Sequence, residues 1–328
     1  MTRRPHRQAV AAYAANHAET QAATVEFVDL ITAIIDDAGI NYLSITGRAK
    51  SPKSFAGKVA RRADELTDPL VEITDQVGVR VITYVQSDVQ AVAALLTEQF
   101  GVLEDRDLGL EAANEGRFGY ASRHLLVSRD KDAHAYDPAR CASVQLRTVL
   151  QHAWAEFEHD ARYKGDVPPE HASDLDRRFT LAAGLLELAD REFSIIRDRL
   201  QSGLGEVTEV ISGDDTLSAT DLATFLAGRY TGSGFSRAEH YALSAQLLGE
   251  LGITSIEQLS EVLATTDSDG TMRAMGYRYP PGAARRLDDD LLASFRERYV
   301  DLPGNADRRS TLRGRLQRLP DRHPSDDD

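Results

Sequence analysis

The stretch Ser143-Val-Gln-Leu-Arg-Thr-Val-Leu-Gln-His-Ala-Trp-Ala-Glu-Phe-Glu-His-Asp160 holds a dense set of hydrogen-bonding side chains. It reads as a buried strand that turns directly into a helix, with Gln145 and Arg147 on the strand end. Spacing of three to four residues puts His152, Glu156, His159 and Tyr163 on one helix face. Leu150, Trp154, Phe157 and Ala161 then form the opposite stripe, expected to face the core. Such a polar face beside a strand end is the wall of a site. Glu156-x-x-His159 is half of a di-metal carboxylate motif, but the sequence offers no matching second half.

A second group lies upstream. Thr46 to Ala63 contains Arg48, Lys50, Lys53, Lys58, Arg61 and Arg62 and no acid, in a chain whose net charge is −14. A run of like charges on its own is an ordinary solvated helix face. Here the cations follow an expected turn at Gly47 and a helix start at Ser51-Pro52. Cations beside free backbone N–H groups at a helix N-terminus suit a polyphosphate.

Two shorter motifs sit between these groups. Asp75-Gln-Val-Gly-Val-Arg80 puts an acid before a strand and an arginine inside it. Taken alone, Asp75 is a turn residue and Arg80 a surface arginine. Gly116-Arg-Phe-Gly-Tyr-Ala-Ser-Arg-His124 is a glycine-punctuated loop entering a strand. Tyr120 within it suits either stacking on a base or ordinary core packing.

The elements that must carry these residues follow from periodicity. Helices are expected at 8–38, 52–66, 88–100, 148–163 and 177–204. Extended segments are expected at 42–46, 77–85, 122–128 and 141–147. The fold class is α+β: a mixed β-sheet flanked by helices over 1–204, then a Gly/Asp/Ser-rich linker at 205–216 and an all-helical region at 217–302. Ser218, Ser236 and Ser255 are the expected N-caps of that region. Residues 303–328 read as a polar, partly disordered tail.

Composition narrows the function. Hydrophobic residues at 42% and charged residues at 27% describe a globular chain with a real core. One cysteine, Cys141, excludes an internal disulfide. The N-terminal helix is interrupted by His17, Glu19, Glu26 and Asp29, so a membrane span is not expected, and a cytoplasmic setting is. The acidic balance argues against broad binding to long nucleic acids. No Walker A sequence occurs.

Taken in order, TGRxKSxxSxxxK, DQVGVR, GYxSxH and VQLRT–LQHAWAEFEHD–YK resemble the synthetase domain of RelA/SpoT-type proteins, over about residues 40–165. The resemblance implies a nucleotidyltransferase-like synthetase domain of the small alarmone synthetase type, with a C-terminal helical extension. It implies ATP as donor, GDP or GTP as acceptor, Mg²⁺ as cofactor, and pyrophosphate transfer to the acceptor 3′-OH to make (p)ppGpp. By the same resemblance Arg48, Lys50, Ser54 and Lys58 hold the ATP phosphates, Arg80 lies against the adenine and Asp75 binds Mg²⁺. Tyr120 stacks on the acceptor base, and His124, Gln145, Arg147 and His159 line the acceptor side.

One departure matters. Serine stands at position 143 where the family has a glutamate that binds Mg²⁺ and activates the acceptor hydroxyl. A serine hydroxyl is not a base near neutral pH. Glu156, Glu158 and Asp137 are candidate substitutes, the first two entering the expected catalytic set with Asp75 and Gln145. Two alternatives stay open: a toxin of a toxin–antitoxin system that modifies tRNA 3′ ends, for which the arginine-rich stretch 308–322 is the sequence hint, and a non-catalytic nucleotide sensor. The helical region leaves homo-oligomerisation and an antitoxin or regulatory partner open.

Overall fold

The computed structural model describes residues 4–115, 122–164, 169–204 and 217–320, with backbone alone at 162–164, 169–170 and 201–204. Two compact units share the chain. The first comprises Met1–Ile35 and Tyr42–Ile195, the second Asp36–Asn41 and Ile196–Asp328.

The first unit begins with helices α1 (Arg4–Ala15) and α2 (His17–Asp37). One continuous helix was expected over 8–38; instead the chain breaks at Asn16, a residue that competes for backbone hydrogen bonds. Strand β1 (Ser44–Ala49) leads to α3 (Pro52–Arg61) and the short α4 (Pro69–Glu72). Then come β2 (Val77–Thr83), α5 (Gln86–Gln99), β3 (Gly101–Asp107), α6 (Leu108–Asn114), β4 (Arg123–Ser128) and β5 (Cys141–Thr148). Helices α7 (Val149–Lys164) and α8 (Pro169–Leu204) follow.

The five strands form one mixed sheet in the order β1-β2-β5-β4-β3. Only β2 and β5 run parallel; the other neighbours are antiparallel. Alternation gives the sheet two distinct faces. Val79, Val81, Val144, Leu146, Leu125 and Val127 are buried on one face. The buried side of α5, with Val89, Val92 and Leu96, packs there. Burying each such side chain stabilises the unit by about 1.5–3 kcal/mol. The opposite face carries Arg80, Gln145 and His124, and α7 folds back over it.

Gly47 is not a turn. It pairs with Val79 in the middle of β1, and a Cβ there would stand 2.6 Å from the side chains of both Thr24 and Val28 of α2. Glycine lets α2 lie directly on the strand, and β1 extends far enough to include Arg48. Strand β3 and helix α6 were not expected. β3 is an edge strand, so one side needs no partner and its acids and arginine tolerate solvent.

On α7 the expected core stripe is only half right. Trp154 is buried with Ala155 and Ala183 of α8, but Phe157 is 64% exposed and meets Phe179 at its edge. Tyr163's side chain, Tyr120 in the loop 116–121 and the linker 205–216 lie outside the described residues.

The second unit contains α9 (Ala219–Arg229), α10 (Ala238–Leu251), α11 (Ile256–Ala264), α12 (Ser268–Met275), α13 (Ala283–Phe295) and α14 (Glu297–Val300). Ser218 and Ser255 cap α9 and α11 as expected. Ser236 does not cap α10. Its hydroxyl donates to the Gly39 carbonyl at 2.9 Å and accepts from the Ala284 amide at 3.1 Å. The supposed tail begins with a 3₁₀ turn (Pro303–Arg308) and α15 (Arg309–Leu316), and Leu312, Leu316 and Leu319 join the helical core. Those leucines share one face at spacings of four and three. The alternating charges obscured it, and residues 321–328 lie outside the described set.

The helical core also contains Asp288, Asp289 and Asp290, all buried. Asp288 accepts from Arg308 and Arg315, each at 2.6 Å, and from Tyr299. Asp289 accepts from Arg315 and from Tyr277 at 2.6 Å. Asp290 accepts from Tyr230 at 2.7 Å and from Ser268. Burial opposes the charge on Asp288, but Arg315, Arg308 and Arg285 hold its carboxyl far below the ordinary range. Deleting one member strands buried charge. Arg315→Ala is expected to cost about 3–5 kcal/mol of the helical unit's stability, read as a drop in the urea midpoint of unfolding. The exposed Arg273→Ala is expected to shift that midpoint little.

Candidate functional site

The basic run and the Asp75 motif converge on one ion cluster. Lys50 leaves β1 with its amide bonded to the Gln76 carbonyl at 2.8 Å and its own carbonyl bonded by Tyr13 Oη at 2.6 Å. Those bonds aim the Lys50 ammonium at Asp75, 2.6 Å away. Ser51 caps α3, its Oγ accepting from the Ser54 amide at 3.2 Å and donating to Ser54 Oγ at 2.9 Å. Pro52 starts the helix, and about two turns later Lys58 reaches the other oxygen of Asp75 at 3.0 Å. Burial pushes the Asp75 carboxyl up, but Lys50 and then Lys58 outweigh it, so the net shift is downward. Asp75 therefore stays ionised, and two ammonium groups are held where a more highly charged anion could recruit them.

The strand register builds the rest. One cross-strand row runs Thr46, Arg80, Gln145, His124 and Arg106. The next row runs Arg48, Gly78, Ser143, Leu126 and Glu104. Pairs directly opposite project to the same face, so both rows share the face on which α7 packs over β2 and β5. Gly78 places no side chain between Arg48 and Ser143 in its row. Glu156 of α7 reaches down to Arg80 at 3.0 Å, with His152 Nδ1 at 3.7 Å from the same carboxylate. Arg147 Nη2 donates to Gln145 Oε1 at 3.0 Å, and its Nε to Ser122 Oγ at 3.3 Å. Burial, then the adjacent Arg80, push Arg147 down to about 10, which leaves it charged at neutral pH. His124 is likewise pushed down, by burial and then Arg106, so it favours the neutral imidazole.

The structure thus brings together Lys50, Lys58 and Asp75, with Ser54 on the same helix. It separately brings together Arg80, Gln145, His124, Arg147 and Glu156. Arg48 stands exposed on β1 in the Ser143 row. His159 shares the α7 face of His152 and Glu156 and is exposed. Glu158 does not join them: two residues from Glu156, it lies about 200° around the helix. Asp137 is exposed in the loop before β5, its Oδ1 accepting from the Ala139 amide at 2.9 Å. Sequence reasoning missed Arg106 and Glu104, which enter only through the register of β3. Only Glu104 and Arg106 alternate on that face, because the register shifts between Val102 and Glu104, so the sequence carries no longer pattern to find them by.

Among the described residues no three His, Cys, Asp or Glu side chains converge as a metal site, and no helix is long and apolar enough to cross a membrane. Asp75 is a single hard carboxylate, the donor type that holds Mg²⁺ together with substrate phosphates, and in this structure both its oxygens are taken by lysines.

Residues 47–167 match the family profile described as "Region found in RelA / SpoT proteins". The chain is 29% identical over 161 residues to the GTP pyrophosphokinase YjbM of Bacillus subtilis (strain 168), a match covering 48% of this chain and 72% of that protein. It is 28% identical over 141 residues to the GTP pyrophosphokinase YwaC of the same organism, covering 41% and 66%. Among solved structures, a GTP pyrophosphokinase family protein from Streptococcus pneumoniae aligns over 57% of this chain and 93% of its own, at 26% identity and a TM-score of 0.46.

Asp75's depressed value implies a linkage with a definite sign. The carboxylate contributes stability above the ordinary carboxylate range, and that contribution is lost as pH falls through the depressed value. In Lys50→Met the Asp75 titration, followed by carboxyl ¹³C NMR, is expected to move up toward the ordinary range. An unmoved titration would mean that Lys50 does not hold the charge.

Proposed function

We propose that this chain, whose residues 47–167 match the RelA/SpoT profile, is an ATP-dependent pyrophosphokinase that transfers pyrophosphate to the 3′-hydroxyl of GDP or GTP. The observation that carries the reading is the Lys50–Asp75–Lys58 cluster, built from two motifs that lie in family order within the matched region. In this reading the acceptor 3′-oxygen attacks the β-phosphorus of ATP. A new P–O bond forms, the bond from that phosphorus to the oxygen bridging the α-phosphate breaks, AMP leaves, and the hydroxyl proton passes to solvent water.

The side chains contribute position and charge, which is most of what phosphoryl-type transfer asks of a protein. Lys50, Lys58, Ser54 and Arg48 bind the donor phosphates. Arg80 packs against the adenine, held by Glu156. His124, Gln145 and Arg147 orient the acceptor, with Arg147 tied to Gln145. Asp75 would hold Mg²⁺, which when bound screens the phosphate charge.

Ser143 lies between Gly78 and Leu126 in its cross-strand row, and no carboxylate stands at its position. Glu156 is engaged with Arg80, so it is a poor stand-in. A slow enzyme follows, because a positioned general base contributes about 10²–10⁴-fold.

Incubation with ATP, Mg²⁺ and GDP or GTP is expected to release AMP and yield a 3′-pyrophosphorylated guanine nucleotide. Ser143→Glu is expected to raise kcat by about 10–100-fold with little change in the KM for ATP. Label appearing on the 3′ end of tRNA but on no free nucleotide would replace the acceptor in this reading. Absence of AMP with every acceptor, in both wild type and Ser143→Glu, would overturn it.

A further inference from the structure

A cavity of about 450 Å³ opens at the carboxyl ends of the parallel strands β2 and β5, lined by the first turns of α5 and α7, by α6, by Ser122 and Arg123, and by α8. Its volume lies within the roughly 300–1,000 Å³ usual for small-molecule sites. Val89, Leu110 and Ala113 supply apolar wall. Most polar lining groups already have partners within the protein. Gln151 Nε2 donates to Gln86 Oε1 at 3.1 Å. Arg123 is held by Asp105 at 2.8 Å and by Gln90. The Asp107 carboxylate caps α6 through the Leu110 amide at 3.0 Å.

Asp190 of α8 differs. It lines the same cavity and is 6% exposed. Its Oδ2 accepts from Thr148 Oγ1 at 2.6 Å, while its Oδ1 is buried and has no hydrogen-bond partner among the described residues. No arginine or lysine pairs with it among the described ion pairs. Burial pushes the carboxyl up, opposed only by the Thr148 hydroxyl. A buried acceptor left open is costly, most of all for a charged group. The residue lines the cavity wall, so a donor bound in the cavity is the group that would complete its carboxylate.

The cavity joins the acceptor row through a shared side chain. Arg147 bonds Gln145 of the row at one end and Ser122 of the cavity wall at the other. Thr148, which holds Asp190, is the next residue in the chain. An acceptor nucleotide with its sugar and phosphates over Gln145 and His124 would therefore have this cavity in reach of its base. A carboxylate facing a base selects for adjacent N–H donors. Guanine offers N1–H beside its 2-amino group, a fork that matches two carboxylate oxygens. Adenine places an unprotonated ring nitrogen beside its amino group, which would face the carboxylate lone pairs.

We propose that Asp190 is the base-reading residue of the acceptor site, accepting hydrogen bonds from N1–H and the 2-amino group of guanine within the cavity between α6, α7 and α8. This rests on the guanine-nucleotide reading above. It adds a specificity-determining side chain that lies beyond the matched residues 47–167.

The test is equilibrium binding of GDP, IDP, XDP and α,β-methylene ATP to the full chain, by calorimetry. IDP lacks the 2-amino group, and XDP carries a carbonyl there. Wild type is expected to bind GDP about 10–100-fold more tightly than IDP. Asp190→Asn is expected to lose GDP affinity by a similar factor, to gain affinity for XDP, and to bind the ATP analogue as wild type does. Equal affinity of wild type for GDP and IDP would overturn the proposal, as would unchanged GDP binding by Asp190→Asn or no GDP binding at all. Should Asp190→Asn not fold, the GDP-to-IDP ratio of wild type decides alone. Retained guanine preference without any AMP release would sink the pyrophosphokinase reading and leave the base-reading role standing.

Discussion

The pairing of Asp75 with Lys50 and Lys58 is the constraint on which the site depends. It ties the second turn of α3 to the corner where the end of β1 pairs with the entrance to β2. Each ammonium is delivered by ordinary local structure, Lys50 by its backbone bond to Gln76 and Lys58 by a capped, proline-started helix. An exposed ion pair contributes little stability. Here Lys50 is buried and its carbonyl is fixed by Tyr13, so the value of the cluster is position rather than energy. It is poised for exchange, because a polyphosphate offers the lysines more negative charge and a divalent ion offers Asp75 more positive charge.

From that corner the sheet distributes the remaining chemistry. The parallel pairing of β2 and β5 aligns Arg80 with Gln145, and the antiparallel pairing of β5 and β4 adds His124. A slip of one residue in any of these strands would turn its own site side chain to the buried face. The helical unit applies similar logic to a different end. Its three consecutive aspartates sit in a helix core because three arginines and three tyrosines meet them there. Such a network fixes which helices pack together more than it adds net stability.

Much of this was legible in the sequence. The β-branched run from Val77 announced β2, Ser51-Pro52 announced α3, and the acid-free run marked the cations that reach Asp75. What stayed hidden was hidden for physical reasons. Gly47 imitated a turn because its role is clearance beneath α2, which only tertiary packing reveals. β3 looked like a loop because an edge strand can be polar. Phe157 looked like core because helical spacing identifies a face without saying what covers it. The 309–316 helix looked like a tail because the charge on Arg315 is neutralised by aspartates far away in the chain. Arg106, Glu104 and Asp190 join the site through register and cavity shape, which no local pattern carries.

The exchange at Asp75 is most directly tested by calorimetric binding of α,β-methylene ATP to wild type and Asp75→Asn, with and without Mg²⁺. Without Mg²⁺ the variant is expected to bind the analogue more tightly, because Lys50 and Lys58 are released from the carboxylate. With Mg²⁺ wild type is expected to gain affinity and the variant to gain little, so the order reverses. Equal affinities for the two proteins under both conditions would contradict the view that Asp75 and its lysines trade partners when the nucleotide arrives.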